Sequence, residues 1–192
     1  MSREPLVYAF HDQTIYIFEQ AERRAPSQFG GPLPSKIIGQ PFGPKPLHHI
    51  ACLSGRHIVA LSGSYLQTLP LIHGMHFDGC RLSYRVESAH KINVLSIDPA
   101  SSLDSWPYAN FPPLLPYVPL RLQDTPRSPT YDEFASRFPN MPPDPAELTV
   151  AVPPPATIGL SLWGHSGDWD EVTIIFECDL KNRKVKTCAI GS

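Results

Sequence analysis

The chain has 192 residues, of which 42% are hydrophobic and 18% charged; this composition is typical of a folded globular protein and excludes an intrinsically disordered one. Its length predicts a single domain spanning residues 1–192. The formal net charge of −2 lacks the basic excess that a nucleic-acid-binding surface needs, so we expect no nucleic-acid partner. No apolar stretch approaches the ~18 residues of a membrane span, and the N-terminus lacks the pattern of a signal peptide. We therefore expect a cytoplasmic protein.

Short β-strands are predicted along the first half of the chain. Leu6–Phe10 and Thr14–Phe18 flank a short polar turn and predict an opening hairpin, and Pro26–Pro46 reads as a loop. Further on, Pro70 should confine its strand to a sheet edge or a bulge, because proline cannot donate to a β-ladder. The other predicted strands are Leu47–Leu53 and His57–Leu61, which would form a second hairpin, and Tyr65–Ile72, Arg81–Glu87 and Ile92–Ile97.

Prolines dominate the middle of the chain. Of the 23 prolines, 15 fall between Pro99 and Pro155. Proline fixes φ and lacks a backbone N–H, so this stretch should contain no regular helix interior and no central strand. Apolar and aromatic residues run through it, which argues against a polar linker. We expect a long, proline-rich excursion that presents a fixed surface.

Regular structure is expected again towards the C-terminus. Thr130 and Glu133 have the spacing of a capping box and predict one short helix, which Pro139 ends. The predicted strands that follow are Leu148–Val152, Ile158–Trp163, Glu171–Cys178 and Lys184–Ile190, the last two joined as a hairpin. No βαβ rhythm occurs. The sequence therefore predicts an α+β fold that is mainly antiparallel β, with a sheet of short strands and hairpins.

Two histidines and a carboxylate lie close together at His73, His76 and Asp78. They could form a three-ligand face with an open coordination position, as a catalytic metal needs, which would indicate a metal-dependent hydrolase. The same residues surround a glycine turn, where polar side chains are expected without any metal. We favour the interpretation as a polar turn over the metal site, and we expect no cofactor.

A second unusual string joins Trp163 to Glu171 and reads WGHSGDWDE. It contains Ser, His and Asp, but the serine does not fit the G-x-S-x-G nucleophile motif. Three neighbours in one loop also cannot reach the geometry of a catalytic triad. Tryptophan beside acidic residues is instead common on protein-recognition surfaces. We expect a tight turn that contacts a partner.

Two further patterns leave alternatives open. Pro113, Pro116, Pro119 and Arg121 fit the spacing of a polyproline II ligand, although the apolar residues between them favour packing on their own domain. Four cysteines without a C-x-x-C motif indicate buried thiols, and one disulfide between Cys178 and Cys188 is conceivable because they are equidistant from Arg183.

Two stretches together resemble small immunity proteins of bacterial polymorphic-toxin and type VI secretion systems. They are Val94–Leu122, VLSIDPASSLDSWPYANFPPLLPYVPLRL, and Leu160–Asp179, LSLWGHSGDWDEVTIIFECD. The resemblance covers about a quarter of the chain and includes no diagnostic signature. It implies a non-enzymatic protein that binds and blocks a cognate toxin or effector. The near-neutral net charge differs from what a strongly basic partner would require.

The leading functional expectation is therefore a cytoplasmic, non-enzymatic binding protein that blocks a toxin or effector by steric occlusion. The residues expected to contact the partner are Trp106, Tyr108, His165, Asp168, Trp169, Asp170 and Glu171. One alternative is the hydrolase with His73, His76 and Asp78. Another is a self-associating structural protein, for instance a homodimer, that pairs its exposed β edges.

Overall fold

The computed structural model describes residues 4–33, 35–39, 47–62, 66–75, 80–98, 114–123, 130–138, 140–155 and 172–191. The strands are β1 (Val7–His11), β2 (Thr14–Gln20), β3 (Ser27–Phe29), β4 (Lys36–Gly39), β5 (His48–Ser54), β6 (Thr68–His73), β7 (Arg81–Ser88), β8 (Lys91–Asp98), β9 (Val118–Leu122), β10 (Leu148–Val152), β11 (Val172–Asp179) and β12 (Lys184–Gly191). Two helices join them, the single turn α1 (Val59–Ser62) and the short helix α2 (Tyr131–Ala135). In this described part of the chain, no helix is long and apolar enough to cross a membrane.

The described strands form one 12-stranded sheet in the order β4-β8-β7-β12-β11-β10-β1-β2-β9-β3-β5-β6. Every neighbouring pair is antiparallel except β4 and β8, which run parallel. The prediction of a mainly antiparallel β fold is therefore confirmed.

The sheet curls so that strands far apart in its order meet across one core. Tyr84 on β7 is fully buried, and its hydroxyl donates to Pro70 O on β6 at 3.0 Å and accepts from Ile72 N–H at 3.2 Å. His73 on β6 likewise contacts Thr187 on β12, with 3.1 Å between Nδ1 and Oγ1. Buried side chains from both halves of the sheet fill the space between these contacts.

A second, smaller core lies on the other face of the sheet, under α2. Thr130 caps the helix: its hydroxyl accepts from Glu133 N–H, and the Glu133 carboxylate accepts from Thr130 N–H. The capping box that the sequence predicted is thus confirmed. Phe134 is fully buried and stacks on Phe10 of β1 with 5.5 Å between ring centroids. Such a short helix is held in place by this packing rather than by its own propensity.

Three sequence-based expectations are wrong. His57–Leu61 is not a strand: its last residues lie in α1, and β5 pairs with β6 instead. Pro26–Pro46 is not all loop, since it contains β3 and β4. Both of these strands are short and pair with partners distant in sequence, so local patterning gives little sign of them.

The third error concerns the proline-rich stretch, because β9 contains Pro119 and lies between β2 and β3. Within an antiparallel strand, the N–H and C=O of one residue point to the same neighbour. Pro119 O accepts from Ala21 N–H at 2.8 Å, so its missing donor faces the position just beyond the end of β2. Pro119 therefore removes no backbone hydrogen bond between β9 and β3.

The cysteines are free thiols, and Cys178 does not face Cys188. The β11–β12 register pairs Cys178 with Val185 and Cys188 with Ile175. Cys178 lies in the main core, whereas Cys188 packs against the second core, so the two thiols lie on opposite faces of the sheet. The hairpin is centred closer to Asn182 than to Arg183, which removes the symmetry on which the disulfide depended.

Candidate functional site

The strand directions give the sheet two distinct ends. At one end, which we call the loop end, β6 leads into β7, β8 into β9, and β10 into β11 through connections that include 76–79, 99–113 and 156–171. The opposite end, which we call the turn end, carries the tight turns β1–β2, β7–β8 and β11–β12. The connections β5–β6 and β9–β10 also lie at the turn end, so the long connections are divided between the two ends, and those that contain the predicted contact residues start and finish at the loop end.

The predicted contact residues lie outside the described residues. This holds for Trp106, Tyr108, His165, Asp168, Trp169, Asp170 and Glu171. The strands to which they are attached are described, and both Asp98 and Val172 lie at the loop end. Three strand-to-strand steps separate β8 from β11, or about 14 Å at ordinary strand spacing. The described strand ends next to the two predicted contact segments therefore lie at the same end of the sheet.

Of the three residues considered for a metal site, His73 is described, whereas His76 and Asp78 are not. His73 is 2% exposed and is the cross-strand partner of His48. Burial, reinforced by His48, lowers the pKa of His73 to about 3, so the imidazole is neutral. No group of three or more metal-ligating side chains occurs within the described ranges. The visible role of His73 is to join β6 to β12 through Thr187.

The burial of His73 makes a pH dependence testable. The pKa of His73 is about 6.5 in the unfolded chain and about 3 in the folded protein. Its neutral imidazole therefore makes its full contribution to the stability of the fold above pH 6.5. That contribution is lost as pH falls, by about 1.4 kcal/mol per pH unit between these two values. We expect His73→Gln to reduce the slope of unfolding free energy against pH by about this amount between pH 4 and 6. Urea unfolding at several pH values measures it, and an unchanged slope would contradict the assignment.

A serine and a histidine meet elsewhere in the fold, at a place the sequence did not indicate. Ser27 Oγ lies 2.8 Å from His57 Nδ1 and accepts from Ser54 N–H at 3.0 Å. The pair has the contact of a nucleophile with its base, but Ser27 is 0% exposed and a substrate could not reach it. It instead ties β3 to the turn that precedes α1. The two residues are 30 positions apart, so no local motif could have revealed them.

The described surface at the loop end carries two exposed hydrophobic side chains. Leu114 is 57% exposed and Tyr117 is 46% exposed, the large hydrophobic side chains with high exposure in the described part of the chain. Their neighbours Leu115 and Val118 are buried at 2% and 6% exposure. We call residues 114–117, which lead directly into β9, the Leu114–Tyr117 segment.

Two glycines hold the Leu114–Tyr117 segment in place. Gly31 N–H donates to Leu115 O at 2.9 Å, and Gly30 N–H donates to Ile50 O on β5 at the same distance. Both glycines have positive φ, +58° and +74°. A Cβ at Gly30 would lie 2.2 Å from Pro116 O, so the chain can approach this closely because no side chain intervenes. The Gly31 hydrogen bond and the close approach of Gly30 therefore hold the segment against the sheet, while the side chains of Leu114 and Tyr117 face solvent.

The polyproline II alternative can be assessed for Pro116, Pro119 and Arg121, because only Pro113 of this motif lies outside the described residues. Pro119 and Arg121 belong to β9, which pairs with strands on both sides. Arg121 forms an ion pair with Glu19 of β2 at 2.6 Å. Pro119 and Arg121 therefore pack on their own domain, as the apolar residues between the prolines suggested, whereas Pro116 is exposed.

Comparison with known proteins gave no match to a family model, to a curated protein or to a solved structure.

Proposed function

We propose that this chain is a cytoplasmic, non-enzymatic binding protein that contacts another protein through the loop end of its sheet. The observation that supports the proposal is the Leu114–Tyr117 segment, where exposed apolar side chains sit on a backbone fixed by Gly30 and Gly31. The partner class that we propose is a toxin or effector, blocked by steric occlusion. The resemblance of two stretches of the sequence to immunity proteins is the basis for that class.

The physical argument rests on the entropy of association. A loop that must become ordered on binding loses conformational freedom, and this loss subtracts from the affinity. The Leu114–Tyr117 segment is already held by backbone hydrogen bonds and by the buried side chains of Leu115 and Val118. Tyrosine and leucine then supply apolar contact area, and tyrosine is among the residues that dominate binding energy at interfaces.

We propose that the contact residues predicted from the sequence belong to the same contact surface. Trp106 and Tyr108 lie eight and six positions before Leu114 in the sequence, and Asp168 and Trp169 lie four and three positions before β11, which begins at the loop end. We propose that aromatic side chains form the centre of the contact and that the acidic residues around Trp169 increase the association rate and the selectivity.

The first test compares tagged wild-type protein with the Leu114→Ala/Tyr117→Ala variant in affinity capture from a native lysate. We expect a protein that is retained by the wild type and reduced at least tenfold by the variant, without a large change in melting temperature, because both side chains are exposed. The matched control is Arg56→Ala/Gln67→Ala, two exposed residues in the β5–β6 connection at the turn end. An identical set of retained proteins for all three would contradict the proposal.

The second test uses the captured complex once it has been purified. Trp169→Ala and Asp168→Ala should each weaken it by at least tenfold if the loop before β11 takes part in the contact. Elemental analysis of protein purified without a histidine tag provides an independent check. A stoichiometric transition metal would instead support the hydrolase alternative at His73, His76 and Asp78.

A further inference from the structure

A separate pocket lies at the turn end, away from the proposed contact surface. Its volume is about 430 Å³. The β1–β2 turn contributes Asp12 and Gln13, and the start of α2 contributes Thr130 and Tyr131. The rest of the lining is apolar and consists of Phe10, Pro145 and Ala146. The pocket is therefore a place where two aromatic rings and a carboxylate meet.

The turn at the mouth of this pocket has an unusual conformation for its sequence. His11 pairs with Thr14, so Asp12 and Gln13 form a two-residue hairpin turn, and both have positive φ, 44° and 57°. This is the type I′ geometry, for which Asn-Gly is the strongly preferred sequence. A left-handed conformation is unfavourable for a residue with a long side chain such as glutamine. Backbone strain of this kind is commonly found where side chains serve a function.

The chemistry of the lining favours a cation. Phe10 and Tyr131 pack edge to face with 5.3 Å between ring centroids, and Tyr131 is fixed by a hydrogen bond from its hydroxyl to Pro142 O at 2.9 Å. The Asp12 carboxylate makes no hydrogen bond or ion pair with a described residue. Burial raises the pKa of Tyr131, and the negative charges of Glu177 and Asp144 raise it further, which indicates a negative potential around the ring.

We propose that this pocket binds the side chain of an arginine carried by a partner protein. A guanidinium group can lie against an aromatic ring while it donates to a carboxylate, a combination that the pocket offers with Tyr131 and Asp12. The inference is independent of the proposed function, because the pocket and the Leu114–Tyr117 segment lie at opposite ends of the sheet.

The test is an NMR titration of the intact chain with N-acetyl-arginine methylamide, compared with N-acetyl-norleucine methylamide, which has no charge. We expect saturable shifts at the amides of Asp12, Gln13 and Tyr131 with the arginine probe, and shifts at least fivefold smaller with the norleucine probe. Equal shifts with both probes, or no saturable shift at these amides, would overturn the proposal.

A substitution separates binding from folding. Asp12→Asn removes the charge and keeps a residue that tolerates positive φ, so the melting temperature should stay the same or rise. Affinity for the arginine probe should fall at least fivefold. Asp98→Asn, an exposed acid at the loop end, is the matched control and should leave the affinity unchanged. If Asp12→Asn binds the probe as the wild type does, the carboxylate has no role and the proposal is wrong.

Discussion

Replacing Gly30 with alanine is expected to lower the free energy of unfolding by at least about 3 kcal/mol. Two causes act together. The residue has a φ of +58°, which is unfavourable for alanine, and the added Cβ would lie 2.2 Å from Pro116 O and 2.9 Å from Leu115 Cβ. The atom in the way at 2.2 Å belongs to the backbone, so no side-chain rotation can relieve the collision. Urea unfolding of the two proteins measures the effect.

A second substitution distinguishes these causes. Asparagine adopts positive φ more readily than alanine does but still carries a Cβ, so Gly30→Asn should remain strongly destabilising if the collision dominates. Pro32→Ala, at an exposed residue two positions further on, is the control and should change stability by less than about 0.5 kcal/mol. A loss below about 1 kcal/mol for Gly30→Ala would mean that the Leu114–Tyr117 segment moves away at little cost, and that it is not the fixed surface proposed above.

Removing the hydroxyl of Tyr84 should also cause a large loss, about 2–4 kcal/mol for Tyr84→Phe. The hydroxyl serves two buried backbone groups of β6, Pro70 O and Ile72 N–H, and phenylalanine leaves both without that partner. Burial raises the pKa of Tyr84 well above its ordinary value, so the phenol is neutral and can donate at any working pH. Denaturant unfolding gives the magnitude, and amide exchange at Ile72 should become faster in the variant.

The control for this prediction is Tyr117→Phe. It removes the same atom from a side chain that is 46% exposed, where water replaces the lost partner. Its effect should stay within about 0.5 kcal/mol. If Tyr84→Phe changed the free energy of unfolding as little as Tyr117→Phe, the contact between β7 and β6 would contribute nothing to the stability of the curled sheet.

Features determined by local chemistry could be predicted from the sequence. Local alternation, turn residues and helix caps predict the β1–β2 hairpin, the two strands β7 and β8, the β11–β12 hairpin and the capping box of α2. Strand β10 was predicted with its observed bounds for the same reason. The edge position expected from Pro70 is also correct, because β6 ends the sheet order.

Features determined by distant partners could not be predicted. Strand β3 has three residues and exists because β5 and β9 pair with it on either side. Pro119 is accepted in a strand between two others because β2 ends where its donor is missing, which depends on the register rather than on the residue. The exposure of Leu114 and Tyr117 beside buried Leu115 and Val118 depends in turn on Gly30 and Gly31, more than 80 positions earlier.

The contact between Tyr84 and β6 also bears on how copies of this chain could assemble. Pro70 O and Ile72 N–H point away from β5, and these are the groups that an incoming strand would have to engage. The hydroxyl of Tyr84 already binds both groups. A strand added at the β6 edge would therefore find no free backbone group at these two residues. Growth of a fibre by edge-to-edge stacking requires an open template on both sides of every molecule. By occupying both groups, Tyr84 opposes the addition of a strand at β6 and so disfavours such growth.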